Sequence, residues 1–326
     1  MRPLADFDLH RPAALDEALA LLAADGAMPL AGGTDLLPNL HRGLHAPARL
    51  VDLGALPGFD SIEHDGTHWR LGAGATLAAI AGHAALAAAL PALAQAARDV
   101  AGPAHRSAAT VGGNLCQDTR CVYFNQSAWW REANGWCLKR GGTVCHVAPQ
   151  GRRCHAAYAG DLAPPLLAFD AQAEIAAPQG TRRVPLAQLY RDDGAAHLAL
   201  ARGAIVLALY VPQPAPGTAS GYRKERVRGA MDFALAGVAL RLRRDGDVLA
   251  ELALAMVGTN SRPLRLEGTD GLLGRPVDDA LLAALGKLVQ QQASPMRSTV
   301  TAAHHRRLVA AVAAQRLARA LWSAAA

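Results

Sequence analysis

The cysteines of this 326-residue chain are confined to one short segment, and this constrains the fold more than any other sequence feature. They are Cys116, Cys121, Cys137, Cys145 and Cys154. In a reducing compartment, such grouping indicates metal or redox chemistry more often than disulfide bonds. Three of the five tryptophans share the segment. The sequence therefore predicts a specialised insert within an otherwise ordinary chain.

The overall composition is that of a globular protein. Hydrophobic residues make up 51% of the chain and charged residues 18%, which excludes a disordered polymer. The net charge is +6, but the basic residues are spread along the chain and form no nucleic-acid-binding stripe. His83 and Pro91 interrupt the most apolar stretch, residues 77–98, and Asp6 and Asp8 lie where a signal peptide needs apolar residues. We expect a cytoplasmic protein that binds neither nucleic acid nor membrane.

The periodicity of apolar residues predicts an α+β fold. Helices are predicted at 13–25, at 278–290, at 300–322 and as a pair within 77–98; strands are predicted at 28–31, 49–53, 61–64, 68–73, 173–177, 204–211, 235–243 and 247–257. The segment 213–219 has the composition of a linker. We therefore predict one domain over residues 1–215 and a smaller one over 216–326.

Two glycine loops carry the strongest signal for ligand binding. The sequences are PLAGGTDLLP, residues 29–38, and ATVGGN, residues 109–114. Paired glycines between a strand and a helix can direct backbone N–H groups at phosphate oxygens, and two such loops could clamp a diphosphate from both sides. For a single glycine pair, a tight strand-to-helix turn is the simpler explanation. Neither loop matches the Rossmann or Walker A pattern, so any dinucleotide is held by another architecture.

The cysteine spacing, C-x4-C-x15-C-x7-C-x8-C, lacks the C-x2-C pairs of zinc ribbons and bacterial ferredoxins. Four thiolates could hold either a zinc ion or a cubane iron–sulfur cluster, and spacing alone does not decide between them. The aromatic surroundings favour a cluster, since a dry shell tunes its potential. Asn114 and Cys121 are seven residues apart, as are Cys154 and Asp161. A metal centre tied at both ends in this way would lie close to the glycine loops.

Gly32-Gly33-Thr34-Asp35 and Thr110-Val111-Gly112-Gly113-Asn114 resemble the FAD-binding subunits of the xanthine dehydrogenase family of molybdenum enzymes. The resemblance implies a two-part (PCMH-type) FAD-binding domain and a smaller α+β C-terminal domain. It also implies flavin contacts from Asp161 in GDLAPP and Lys224 in YRKERV. The FAD-binding residues implied are Pro29, Leu30, Ala31, Gly32, Gly33, Thr34, Asp35, Val100, Ala109, Thr110, Gly112, Gly113, Asn114, Gln117, Asp161 and Lys224.

The insert, at about residues 116–158, resembles that of the β subunits of 4-hydroxybenzoyl-CoA reductases, where four cysteines carry an additional [4Fe–4S] cluster. The match implies that Cys121, Cys137, Cys145 and Cys154 are the ligands, which leaves Cys116 without a role. Because the implied flavin contacts lie outside the cysteines, we expect loss of one cysteine to spare FAD.

The resemblance also implies a function. Reduced ferredoxin would supply electrons through [4Fe–4S] and FAD to [2Fe–2S] clusters on a small partner. Molybdenum on a large molybdopterin-binding partner would then convert 4-hydroxybenzoyl-CoA to benzoyl-CoA, within a dimer of heterotrimers. No catalytic acid, base or nucleophile is expected on this chain.

Two alternatives remain open at this point. One is the FAD subunit of a molybdenum hydroxylase that sends electrons to NAD+ or a quinone. The other is a zinc protein associated with nucleic acid, which predicts zinc, no flavin, and binding that falls steeply with salt.

Overall fold

The computed structural model describes residues 4–229, 231–297 and 301–324. The chain begins with a small parallel sheet in the order β1-β3-β2. Its elements are β1 (Asp8–His10), α1 (Leu15–Ala23), β2 (Ala27–Leu30), α2 (Leu36–His41) and β3 (Arg49–Asp52). Helix α1 buries Ala18, Leu19 and Leu22 at helical spacing, and Gly26 reverses the chain behind it with φ of +71°. The first glycine loop joins β2 to α2.

A five-stranded antiparallel sheet follows, in the order β4-β5-β8-β6-β7. Its strands are β4 (Ile62–His64), β5 (His68–Gly72), β6 (Gln172–Ala177), β7 (Gly180–Pro185) and β8 (Ile205–Pro212). Seven short helices lie between β5 and β6: α3 (Leu77–Gly82), α4 (Ala84–Ala89), α5 (Pro91–Asp99), α6 (Pro103–Arg106), α7 (Val111–Leu115), α8 (Ala128–Ala133) and α9 (Ala163–Ala168). The second glycine loop enters α7.

Residues 77–99 form three helices, so the prediction of two was wrong. The chain breaks at Pro91, as expected, and also at His83. Nδ1 of His83 accepts a hydrogen bond from the N–H of Leu86 and thereby caps α4. Histidine is an uncommon N-cap, so this second break carries no strong sequence signal.

The last part of the described chain is an antiparallel sheet, β12-β11-β10-β9, covered by two helices. Its elements are β9 (Thr218–Glu225), β10 (Ala236–Asp245), β11 (Val248–Val257), β12 (Leu264–Arg265), α10 (Asp279–Gln292) and α11 (Ala303–Ala324). The alternating apolar residues of β10 and β11 pack on α10 and α11 in a separate core.

The α+β prediction is confirmed, as is the hairpin of β10 and β11. The linker is shorter than the predicted 213–219, because β9 already begins at Thr218. The start of the helix predicted at 300–322 lies outside the described residues. The strand β7 was missed because its arginines and threonine lack an apolar alternation. Among the described residues, no helix is both long and apolar enough to cross a membrane.

Candidate functional site

The two glycine loops line one cavity. It has a volume of about 360 Å³, within the usual range for ligand pockets, and is bordered by β2, α2, α7 and the segment before β8. Ten of the predicted FAD-binding residues line it: Pro29, Ala31, Gly32, Gly33, Thr34, Asp35, Thr110, Gly112, Gly113 and Gln117. Loops 80 residues apart in sequence therefore form one site.

The glycines allow these loops to touch. A Cβ atom at Gly32 would overlap the backbone carbonyl oxygen of Ala108, next to the second loop. A Cβ atom at Gly112 would come within 2.9 Å of the Cβ of Ala73. Gly33 has φ of +69°, in the left-handed region that favours glycine. The glycine pairs are therefore required by close backbone packing as well as by any ligand.

The hydrogen-bond donors free to bind a ligand come mainly from the first loop. The N–H groups of Gly32, Gly33 and Thr34 have no acceptor within the described parts of the chain. In the second loop, the N–H of Gly112 donates to the carbonyl oxygen of Ala73 at 2.7 Å, and that of Gly113 donates to Oγ1 of Thr110. Most of the free backbone donors of the clamp inferred from the sequence thus come from the first loop.

One buried amide nitrogen belongs to a side chain that lines the cavity. Nε2 of Gln117 has no hydrogen-bond partner among the described residues, although an unpaired buried amide is costly. The polar edge of a bound nucleotide would satisfy it. Together with the free amides of the first loop, this donor fits a ligand rich in oxygen acceptors, as the diphosphate and sugar of FAD are.

The other six predicted FAD-binding residues do not line this cavity: Leu30, Val100, Ala109, Asn114, Asp161 and Lys224. Asn114 has a positioning role, because its Oδ1 accepts the N–H of Leu162 at 3.0 Å. This bond ties α7 to the segment that carries Asp161. The carbonyl oxygens of Leu30 and Ala109 accept hydrogen bonds from the backbone N–H groups of Leu53 and Leu77. The carbonyl oxygen of Val100 accepts a hydrogen bond from the side chain of Arg106.

Asp161 and Lys224 form a buried ion pair. Nζ of Lys224 lies 2.8 Å from Oδ2 of Asp161, and their side chains are only 2% and 4% exposed. The hydroxyl of Tyr222 donates to Oδ1 of Asp161 at 2.6 Å. Burial raises the pKa of Asp161, while Lys224 and Tyr222 oppose that rise. The pair joins the N-terminal side of α9 to β9, so it links the two parts of the chain beside α7.

The insert is closed at its base. Arg120 and Ala157 form an antiparallel bridge with N–H···O distances of 2.8 Å in both directions. Next to the bridge, the hydroxyl of Tyr158 donates to the carbonyl oxygen of Leu115 at 2.9 Å. Both ends of the insert are therefore held next to α7, which the second glycine loop enters.

Four of the five thiols have similar surroundings. Cys121, Cys137, Cys145 and Cys154 are buried and carry free thiols. Burial raises the pKa of Cys154 to about 12; the Cys145 and Cys121 thiols raise it further, and Lys139 opposes them. Burial also raises the pKa of Cys121, with smaller upward effects of the Cys137 and Cys145 thiols.

Cys116 has a different environment. It lines the glycine-loop cavity, and burial raises its pKa to about 12 with no contribution from the other thiols. Within the described residues, no three His, Cys, Asp or Glu side chains are placed to ligate a single metal ion. A cubane cluster attaches its cysteines to four different irons, so it does not require them as close together as the ligands of one ion.

An ion-pair network joins the insert to the cavity. Nζ of Lys139, two residues after Cys137, lies 2.5 Å from Oδ1 of Asp118, which lines the cavity. A second pair joins Arg120 at the base of the insert to Asp35 of the first glycine loop. The N–H of Asp118 also donates to Oδ2 of Asp35 at 2.9 Å.

Sequence reasoning missed Asp118, Lys139, Arg120 and Tyr222. One signal could have indicated Lys139: lysine is rare in this arginine-rich chain, which contains only Lys139, Lys224 and Lys287. Two of these three are buried in ion pairs, and only Lys287 is exposed.

Each of the two parts of the chain matches a known protein family. The profile of the FAD binding domain in molybdopterin dehydrogenase matches residues 5–214, and that of the CO dehydrogenase flavoprotein C-terminal domain matches residues 220–321. The predicted fold, a two-part FAD-binding domain followed by a smaller α+β domain, is thereby confirmed.

Curated proteins and solved structures agree with this match. The chain is 33% identical to an aldehyde oxidoreductase FAD-binding subunit of Escherichia coli (strain K12), covering 82% of this chain and 87% of the relative. It is 28% identical to a carbon monoxide dehydrogenase medium chain of Afipia carboxidovorans, covering 95% and 94%. A chain from the crystal structure of a Cu,Mo-CO dehydrogenase superposes with a TM-score of 0.82 at 26% identity, covering all of both chains.

Proposed function

This chain belongs to the family of FAD-binding subunits of molybdenum-dependent dehydrogenases, and we propose that it holds FAD and a [4Fe–4S] cluster side by side as an electron-transfer subunit. The observation that carries the proposal is an ion pair that lies between two sites. Asp118 lines the cavity with the free backbone donors, and its partner Lys139 lies against the ring of Phe124, which packs with Cys121 and Cys154.

FAD, when bound, can exchange electrons singly or in pairs. Its diphosphate would accept from the N–H groups of the first glycine loop, and Gln117 would donate to it or to its sugar. Asp161 and Lys224 would contact the flavin beyond α7, in keeping with the resemblance to the family. The chain's contribution is to bind, to orient and to exclude water.

The proposed cluster ligands are Cys121, Cys137, Cys145 and Cys154, and the donor set fits the group. The four thiols are free and buried, and other thiols of this set raise the pKa values of Cys121 and Cys154, whereas burial alone raises that of Cys116. The cluster, when bound, would transfer single electrons. Phe124 packs in the same small core as Cys121 and Cys154 and keeps water from them.

We further propose that the chain assembles with a molybdopterin-binding large subunit and a [2Fe–2S] small subunit in a dimer of heterotrimers. Support comes from the relatives, one of which is a medium chain of carbon monoxide dehydrogenase. We place the division between the two domains of this chain near residue 215, in the segment between β8 and β9.

Two reactions are candidates for the complex. The insert favours reductive dehydroxylation of 4-hydroxybenzoyl-CoA with reduced ferredoxin as donor, because an extra cluster offers an entry point for single electrons. The names of the curated relatives favour the second candidate, oxidation of an aldehyde or a related substrate with electrons leaving through FAD.

Cofactor analysis tests the first part of the proposal. The chain, purified anaerobically, should contain one FAD and about four irons, with a broad iron–sulfur absorption beneath the flavin bands. FAD without iron would contradict the cluster, and zinc without flavin would contradict both cofactors. For the reaction, the co-purified complex is assayed with 4-hydroxybenzoyl-CoA and reduced ferredoxin, and with aldehydes and an electron acceptor. Turnover of aldehydes alone would contradict the reductase assignment.

A further inference from the structure

Two carboxylates line the cavity that should receive a diphosphate. They belong to Asp35 and Asp118. The diphosphate of a dinucleotide is itself anionic, so an uncompensated carboxylate at this position would repel it, more strongly where water is excluded. The cavity can therefore bind such a ligand well only if other residues neutralise these two charges.

Both neutralising cations belong to the insert. Arg120 pairs with Asp35, and Lys139 pairs with Asp118 at 2.5 Å. The Lys139 side chain is only 6% exposed and Asp118 is 17% exposed, so solvent screens this pair weakly. The imidazole of His45 is also near Asp118, but its Nε2 is 3.8 Å from Oδ2, beyond hydrogen-bond distance.

The surroundings of Lys139 are built for an ammonium group. Its three N–H donors match three oxygen acceptors: Oδ1 of Asp118 at 2.5 Å, and Oγ1 and the carbonyl oxygen of Thr119 at 2.5 and 3.3 Å. Nζ also lies 4.3 Å from the centre of the Phe124 ring. Three acceptors around one nitrogen suit a compact ammonium group, and Lys139 is one of only three lysines in this arginine-rich chain.

We propose that Lys139 keeps the cavity receptive to a dinucleotide diphosphate by neutralising Asp118, which makes a residue of the cysteine insert part of the flavin site. The inference rests on the proposed FAD binding. Lys139 is a positioning and charge-compensating residue here, and it need not touch the ligand.

The test measures FAD affinity in four full-length variants stripped of flavin: Lys139→Met, Asp118→Asn, the double variant, and Lys287→Met as the matched control. Titration with FAD, followed by flavin fluorescence, gives Kd. Lys139→Met should weaken binding at least about tenfold, because one buried negative charge is left facing the ligand. The double variant should return to within about threefold of wild type, and Asp118→Asn alone should bind FAD equally well or more tightly.

Each other outcome has a definite meaning. Unchanged affinity in Lys139→Met, or no recovery in the double variant, would overturn the inference. Weaker binding in Asp118→Asn alone would show that Asp118 binds the ligand directly, and would also overturn it. If Lys139→Met does not fold, as judged by circular dichroism, the double variant and Asp118→Asn still decide. A wild-type chain that binds no FAD would instead contradict the proposed function.

Discussion

Two lysine–aspartate pairs flank α7, and they differ in how the fold holds them. The Lys224–Asp161 pair lies between β9 and the start of α9, and Tyr222 of the same strand donates to its carboxylate. The Lys139–Asp118 pair joins two irregular segments, and its ammonium group also donates to Thr119 and lies over the ring of Phe124.

The contrast shows that regular secondary structure holds one pair in place and that irregular chain holds the other. The pair on β9 is held by a strand whose register is set by eight partners on β10. The pair in the insert is held only while the insert keeps its shape. Perturbing the two pairs in parallel should therefore separate effects on stability from effects on cofactor binding.

The largest expected effect is on the β9 pair. Lys224→Met should lower the free energy of unfolding by about 3 kcal/mol, because it leaves the Asp161 carboxylate buried without a counter-charge. Urea unfolding of the full chain measures this. Adding Asp161→Asn should recover most of the loss, and Lys287→Met, at an exposed position, should change little. If Lys224→Met lowers the free energy of unfolding by less than about 1 kcal/mol, the buried pair stabilises the fold no more than a surface ion pair does.

A smaller effect on FAD is expected from the insert itself. Cys137→Ser should abolish iron binding and weaken FAD binding about threefold, since Lys139 is two residues away but keeps its acceptors. Iron analysis and the FAD titration measure both. The sequence alone predicted that FAD would be spared, whereas the Asp118–Lys139 pair predicts some coupling.

The control for that variant is Cys116→Ala. It should retain all of its iron, because Cys116 faces the glycine-loop cavity and not the other thiols. Iron loss in this variant would contradict the ligand assignment. Complete FAD loss in Cys137→Ser would mean that the insert is structural for the whole flavin site.

The smallest effect concerns acid sensitivity. Burial alone would raise the pKa of Asp118, but His45 and the Lys139 charge outweigh it and hold the pKa well below its ordinary value of 3.8. A depressed pKa contributes stability above the unfolded value, and that contribution is lost as pH falls below about 4. Wild type should therefore lose up to about 1 kcal/mol more than Asp118→Asn between pH 5 and pH 3, in urea unfolding at each pH. Equal losses would count against the pair.

Much of the fold and of the glycine-loop site could be predicted from the sequence, because the patterns that indicate them lie within short stretches of the chain. The strand before Gly32 and the hairpin around Gly246 follow from period-two patterns and turn residues, and the glycine loops from their spacing. The hydrogen bonds and ion pairs between distant parts of the sequence could not be predicted from such patterns. Asp118 and Lys139 are 21 residues apart in an irregular segment, and Tyr222 and Asp161 are 61 apart. No periodicity relates such positions, and only the folded chain brings them together.

The bridge between Arg120 and Ala157 has a consequence for how such a subunit could change over time. A segment that leaves and rejoins the fold at paired backbone positions can be lengthened, shortened or replaced without displacing the helices α7 and α9 on either side of it. A flavoprotein of this family can thus gain a cysteine-rich segment while the rest of its fold stays intact, provided that the segment also carries cations to pair with the carboxylates of Asp35 and Asp118.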